Sequence, residues 1–300
     1  MLKEFALDPE LLSNWQDFRF FVAQFGAAQG RLISRFPKSW KAMVKEAAQG
    51  TAGEVEYLRI VDALERLDSS MFVREFDYQK GHQWLRNAID ENSKRPFHAI
   101  LSTKADGNVA NLIVGTLLDP TNPPPLWVVP TSVHIDRVPD AMAQCVEALL
   151  SQCDEVLFVD PYFGPGKQKH TGPLKRFLQA IASRGTRRSP SRIEYHCGNQ
   201  DQDVGKFQTD MDQWIKPWLP NSVTLKVVRW NKDQMHNRYI LTDRGGVMFG
   251  HGLDKDDQHP VGRDTVSLLD DTTCKQLMVD YSDKSQKLSW LGQSFSVTGA

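Results

Sequence analysis

Met235-His236-Asn237-Arg238-Tyr239-Ile240-Leu241-Thr242-Asp243 is the stretch from which the rest of the chain is best read. The aromatic and β-branched run after His236 predicts a strand over residues 238–242. Arg244-Gly245-Gly246 then turns it into a second strand over residues 247–249. Residues two apart on a strand share a face, so His236 and Arg238 are expected on one side and Asn237 on the other. An imidazole beside a guanidinium suits a phosphoryl group. The guanidinium grips the oxygens in pairs, and the imidazole makes the bond or moves the proton. With Asp243 and Gly250 the pattern reads His-x-Arg-x4-Asp-x6-Gly. At this chain's residue frequencies about 0.006 chance matches are expected to such a pattern with either basic residue at its third position. A partly buried histidine beside a surface arginine is the bland alternative.

Working outward, strands and helices alternate. Strands are predicted over residues 155–159, 192–196, 223–229 and 265–269. Between and after them come a helix carrying Leu174, Phe177, Leu178 and Ile181, closed at Gly185, and helices over residues 207–214 and 272–279. Met142, Cys145, Val146, Leu149 and Leu150 form a further helical stripe. Residues 97–101 and 110–118 read as strands, and the four prolines of residues 119–125 as a loop. Leu126–Val129 is a short buried-strand candidate. Upstream, Val55, Leu58, Val61, Leu64 and Leu67 recur every three residues, and the aromatic-rich run from Phe18 to Phe25 is part of another helix. The expected architecture is an α/β domain over residues 96–300, with a mixed sheet flanked by helices. A helical N-terminal segment over residues 1–95 precedes it.

Composition narrows the class. In 300 residues, 40% hydrophobic and 24% charged side chains supply a core and exclude a disordered or collagen-like chain. The net charge of -1 implies no polyanion partner by itself, so any basic surface is local. No apolar run approaches the roughly 20 residues a membrane helix needs. MLKEFALDPELL carries acids where a signal peptide carries a basic stretch. Cys145, Cys153, Cys197 and Cys274 form no CxxC pair, which fits reduced thiols in a soluble, cytoplasmic protein without a membrane association.

The motif resembles that of the phospholipase D superfamily, His-x-Lys-x4-Asp followed six residues later by Gly-Ser/Thr-x-Asn. His236, Arg238, Asp243 and Gly250 fall at the matching positions, while His251 and Leu253 replace the hydroxyl residue and the Asn. The strand into Asp160-Pro161-Tyr162-Phe163, the helix after it and the next strand look like the segment preceding the motif in that family. The resemblance covers roughly residues 130–282. It implies a phospholipase D-like fold and a metal-independent phosphodiesterase without a cofactor, most simply a nuclease. In that chemistry one histidine attacks phosphorus and a second protonates the leaving oxygen. Asp243 is implied to orient an imidazole, and Gly250 and His251 to lie against substrate. Only one copy of the motif is present, so the resemblance implies a homodimer with both His236 side chains in one site. Single-motif members of this kind often serve in bacterial restriction or defence, and by that resemblance the N-terminal helices are expected to dock further protein subunits.

The substrate class is suggested by the 26 residues from Lys167 to Arg192. They hold Lys167, Lys169, Lys175, Arg176, Arg184, Arg187, Arg188 and Arg192, and no acid. Alone, such a run reads as a solvated helix face. Beside a phosphodiester motif it favours nucleic acid, DNA ahead of RNA, gripped through its backbone. The rivals are a non-catalytic subunit that only binds nucleic acid or protein, and a lipid phosphodiesterase.

Overall fold

Five short strands, β1 (Lys3–Leu7), β2 (Arg31–Ser34), β3 (Met71–Phe72), β4 (Ala99–Ser102) and β5 (Leu112–Val114), pair in the order β3-β2-β1-β4-β5. All of these pairings are parallel. They belong to a computed structural model that describes residues 1–119, 121–183, 190–199, 203–221, 223–282, 285 and 287–299. Four helices accompany this sheet: α1 (Trp15–Ala23), α2 (Trp40–Gln49), α3 (Glu54–Glu65) and α4 (Trp84–Lys94). Phe5, Leu7, Ile33 and Leu101 pack with Phe18, Trp40, Val44, Ile60 and Leu64 on one face. Ala6 and Ile100 pack with Trp84, Ala88 and Phe97 on the other. Alternate residues of one strand therefore enter two different cores, and β1 and β4 lack any polar alternation.

Four expectations fail here, in whole or in part. Residues 1–95 are not a helical segment, because they hold three of the five strands of a parallel sheet. The division of the chain falls between Leu2–Pro130 and Thr131–Ala300 rather than at residue 95, since β4 and β5 complete the first sheet. In α3 the three-residue stripe is buried only at its end, at Leu64 and the following Leu67. Ile60 and Leu64 are buried, while Val55 and Leu58 are 64% and 58% exposed. A spacing of three lags a 3.6-residue turn and drifts around the helix. Leu126–Val129 is not a strand either; Pro125–Trp127 forms a single 3-10 turn.

The second unit contains β6 (Ser132–Asp136), α5 (Pro139–Gln152), β7 (Glu155–Val159), α6 (Gln168–Ala182), β8 (Arg192–Gly198) and α7 (Val204–Trp214). After them come β9 (Thr224–Trp230), β10 (Arg238–Thr242), β11 (Gly245–Phe249), β12 (Arg263–Leu268), α8 (Asp271–Asp280) and β13 (Trp290–Thr298). The eight strands pair in the order β13-β9-β8-β7-β10-β11-β12-β6. β7, β8 and β9 are mutually parallel, and the other pairings are antiparallel. Phe158 of β7 stacks on Phe177 of α6, at 5.6 Å between centroids. Its neighbours Leu157 and Val159 enter the opposite core with Leu241 and Cys274. The molecule is thus α/β throughout, one unit built on a parallel sheet and the other on a mixed sheet. Among the described residues no helix is long and apolar enough to cross a membrane.

Candidate active site

The ladder register decides which residues meet. Tyr239 of β10 lies opposite Val159, the last residue of β7, so β10 begins where the parallel strands end. Crevices beyond the carboxyl ends of parallel strands are where α/β sheets commonly bind ligands. Asp160, Pro161 and Tyr162 follow β7 there, Asn199 follows β8, and Asn231 and Lys232 follow β9.

His236 is exposed and lies two residues before β10 rather than on it. Strand alternation therefore does not fix its direction. It is tied to Arg238 through its backbone, since Arg238 Nη1 donates to the His236 carbonyl at 2.9 Å. The Arg238 guanidinium lies 5.1 Å from the centroid of the half-exposed Tyr162 ring, and the Lys232 ammonium lies 5.5 Å from the same ring. Arg238 Nε is buried without a partner. Two cations thus share one aromatic ring near the start of β10, a positive corner open to solvent.

Asp160 braces this corner. Its Oδ1 accepts the Tyr162 N–H and its Oδ2 the Leu253 N–H, both at 2.9 Å. Burial raises the Asp160 pKa against these hydrogen bonds. One carboxylate therefore joins the turn after β7 to the loop after β11, and Leu253, the residue at the motif's Asn position, is buried there. Further along that loop Asp254 is held by Arg137 at 2.5 Å and Lys169 at 3.0 Å. Burial opposes its ionisation, but these two cations outweigh it and hold its pKa low.

His251 and Gly250 lie at the same end. His251 Nδ1 is 3.1 Å from Oδ1 of the buried Asp264, which also accepts the His251 N–H at 3.0 Å. A Cβ at Gly250 would come within 2.9 Å of that oxygen, so the glycine leaves room for the carboxylate.

Asp243 does not reach the site. It follows β10 at the far end, five residues of roughly 3.3 Å rise from Arg238. There its Oδ1 accepts the Asp154 N–H at 2.7 Å and the Glu155 N–H at 3.0 Å. It fastens the entry to β7 and cannot orient His236.

The basic tract is also divided. Lys167 and Lys169 lie at the start of α6, at the site's end of the sheet, and Lys167 lines a cleft of about 780 Å³ with Asn199, Lys206, Trp214 and Lys232. Lys175 approaches the Trp218 ring at 6.0 Å, and Arg176 pairs with Asp140 at 2.7 Å, both further along α6. Arg192 begins β8 at the opposite end and bonds Glu194. Arg184, Arg187 and Arg188, with the helix closure at Gly185, lie outside the described residues.

No family model matches the chain, and no curated protein matches it. Among solved structures, one similar chain is TrmBL2, described as an archaeal chromatin protein with a novel mode of DNA binding. The TM-score is 0.28 and the identity 13%, over 53% of this chain and 55% of that one, so this chain spans about half of that structure's length.

His196, near the end of β8, is a core residue: Trp230 Nε1 donates to its Nδ1 at 2.8 Å, and its Nε2 lies 3.2 Å from Glu194. His170 of α6 is buried too, its Nδ1 accepting the Gly164 N–H at 3.0 Å, and burial lowers its pKa to about 4. The residue that sequence reading missed is Asp264. Its signal was an acid at an inward-facing position of β12, in step with the buried Val266.

Proposed function

We infer that this protein is a metal-independent phosphodiesterase acting on DNA as an endonuclease. The observation that carries this reading is the exposed His236, its backbone carbonyl held by the Arg238 guanidinium, at the carboxyl ends of β7, β8 and β9. Arg238 binds the non-bridging phosphoryl oxygens, with Lys232 adding fixed positive charge across the Tyr162 ring. His236 attacks phosphorus to form a phosphohistidine, which water then hydrolyses. Lys232 belongs both to this corner and to the neighbouring cleft, where Lys167 adds a second cation while Lys206 is paired with Asp210 at 3.1 Å. The half-exposed Trp214 in that cleft offers a face on which a base can stack. The chemistry calls for a second imidazole, supplied either by a second chain across a two-fold axis or from the same chain.

Supercoiled and single-stranded DNA incubated with the protein in excess EDTA test this reading. EDTA-resistant nicking is expected, lowered about 10³-fold or more in His236→Ala. Cleavage that EDTA abolishes would overturn the mechanism. DNA binding without cleavage would identify a binding subunit instead.

A further inference from the structure

Asp264 is a carboxylate with 0% side-chain exposure, and only one of its oxygens is used. Oδ1 accepts the His251 and Thr265 N–H groups and lies 3.1 Å from His251 Nδ1, while Oδ2 has no partner. No Lys or Arg ion pair compensates it among the described residues. The one cation-forming group bonded to it is His251, whose ring is 63% exposed. A buried carboxylate behind an exposed imidazole fixes the orientation of the ring. With Nδ1 committed to Asp264, Nε2 is the nitrogen left for a ligand.

The hairpin register relates the two histidines along the backbone. The last ladder pair of β10 and β11 is Arg238 with Phe249. His236 lies two residues beyond it on one strand and His251 two residues beyond it on the other. Past that pair the loop is held to β12, where the Gly250 N–H donates to the Thr265 carbonyl at 3.1 Å. No other histidine of this unit has both features: His170 and His196 are buried, and neither His134 nor His259 is bonded to a carboxylate among the described residues.

We propose that His251, held by Asp264, is the second imidazole of the reaction, so that a single chain carries the complete site. This rests on the phosphodiesterase reading and replaces the partner chain's His236. In the first step a His236 nitrogen bonds to phosphorus, the phosphorus–oxygen bond to the leaving group breaks, and His251 gives a proton from Nε2 to that oxygen. In the second, neutral His251 takes a proton from water as the water oxygen bonds to phosphorus. The nitrogen–phosphorus bond then breaks, returning its electron pair to His236.

The leaving group separates this role from a structural one, because nitrophenolate departs without a proton. His251→Ala is expected to cleave DNA about 10²–10⁴-fold more slowly than the parent chain. On the p-nitrophenyl ester of thymidine 5′-phosphate it should still release a burst of nitrophenolate and accumulate phosphohistidine at His236. Added imidazole should restore turnover. Orthovanadate should titrate at one per chain. DNA cleavage by His251→Ala at the parental rate, with His236→Ala inert, would overturn the role of His251 and leave the phosphodiesterase reading standing. One orthovanadate per two chains would return the second imidazole to a partner. A parent chain inert toward both substrates would overturn both readings.

Discussion

Asp8 in the first unit and Asp264 in the second are both buried carboxylates at the end of a sheet, and they are used in opposite ways. Asp8 follows β1 and is saturated. Its Oδ1 accepts the Glu10 N–H at 3.1 Å, and its Oδ2 takes donors from Ser102 at 3.2 Å and from the Thr103 backbone and hydroxyl at 3.4 Å. Burial raises its pKa, and its partners are neutral groups that join β1 to β4, where the order of the parallel sheet reverses. Asp264 leaves one oxygen bare and spends the other on an exposed ring. Burial alone therefore does not mark a functional carboxylate. An exposed, titratable partner does.

The sharpest test of this contrast is a matched pair of amides. Asp264→Asn keeps an oxygen for the His251 and Thr265 N–H groups but removes the charge behind the imidazole. DNA cleavage is expected to fall by about 10²-fold. The loss should be much smaller on the nitrophenyl ester, an asymmetry that mere loosening of the loop would not produce. Asp8→Asn should leave cleavage intact and lower stability by about 1–3 kcal/mol, read from urea unfolding. Equal losses of activity in the two variants would break the comparison.

His170 gives a smaller effect. Its pKa is about 4 in the folded chain, so as pH falls through the unfolded value near 6.5 only the unfolded state takes up the proton. Folding stability should drop by about 1.4 kcal/mol per pH unit from roughly pH 6.5 down to about 4 on this account, and level off below. His170→Gln should remove that part of the slope. An unchanged slope would mean that the ring is protonated in the folded protein.

The second unit was legible because its strands are separated by amphipathic helices and turn residues. β7 and β10 begin and end where their sequences predict. β6 and β13 were missed, as the edge strands of the sheet. In β6 the exposed Ser132, His134 and Asp136 dilute the pattern. The first unit hid its sheet for the reverse reason. Strands of five, four and two residues, buried on both faces, look like fragments of the helices around them. The site divided in the same way. His236, Arg238, Gly250 and His251 are local to one hairpin, whereas Asp264 arrives from the next strand and Asp243 is carried to the wrong end by the strand's own rise.

The clamp of Asp8 on Thr103 also has a consequence in time. Its partners are 95 positions apart, and β1 lies between β2 and β4 at the middle of its sheet. At synthesis rates of about 5–20 residues per second, the central strand exists for roughly 5–20 s before its second neighbour has been made. During that interval the strand around which the parallel sheet is built has one unpaired edge, and the newborn chain is most open to mispairing there.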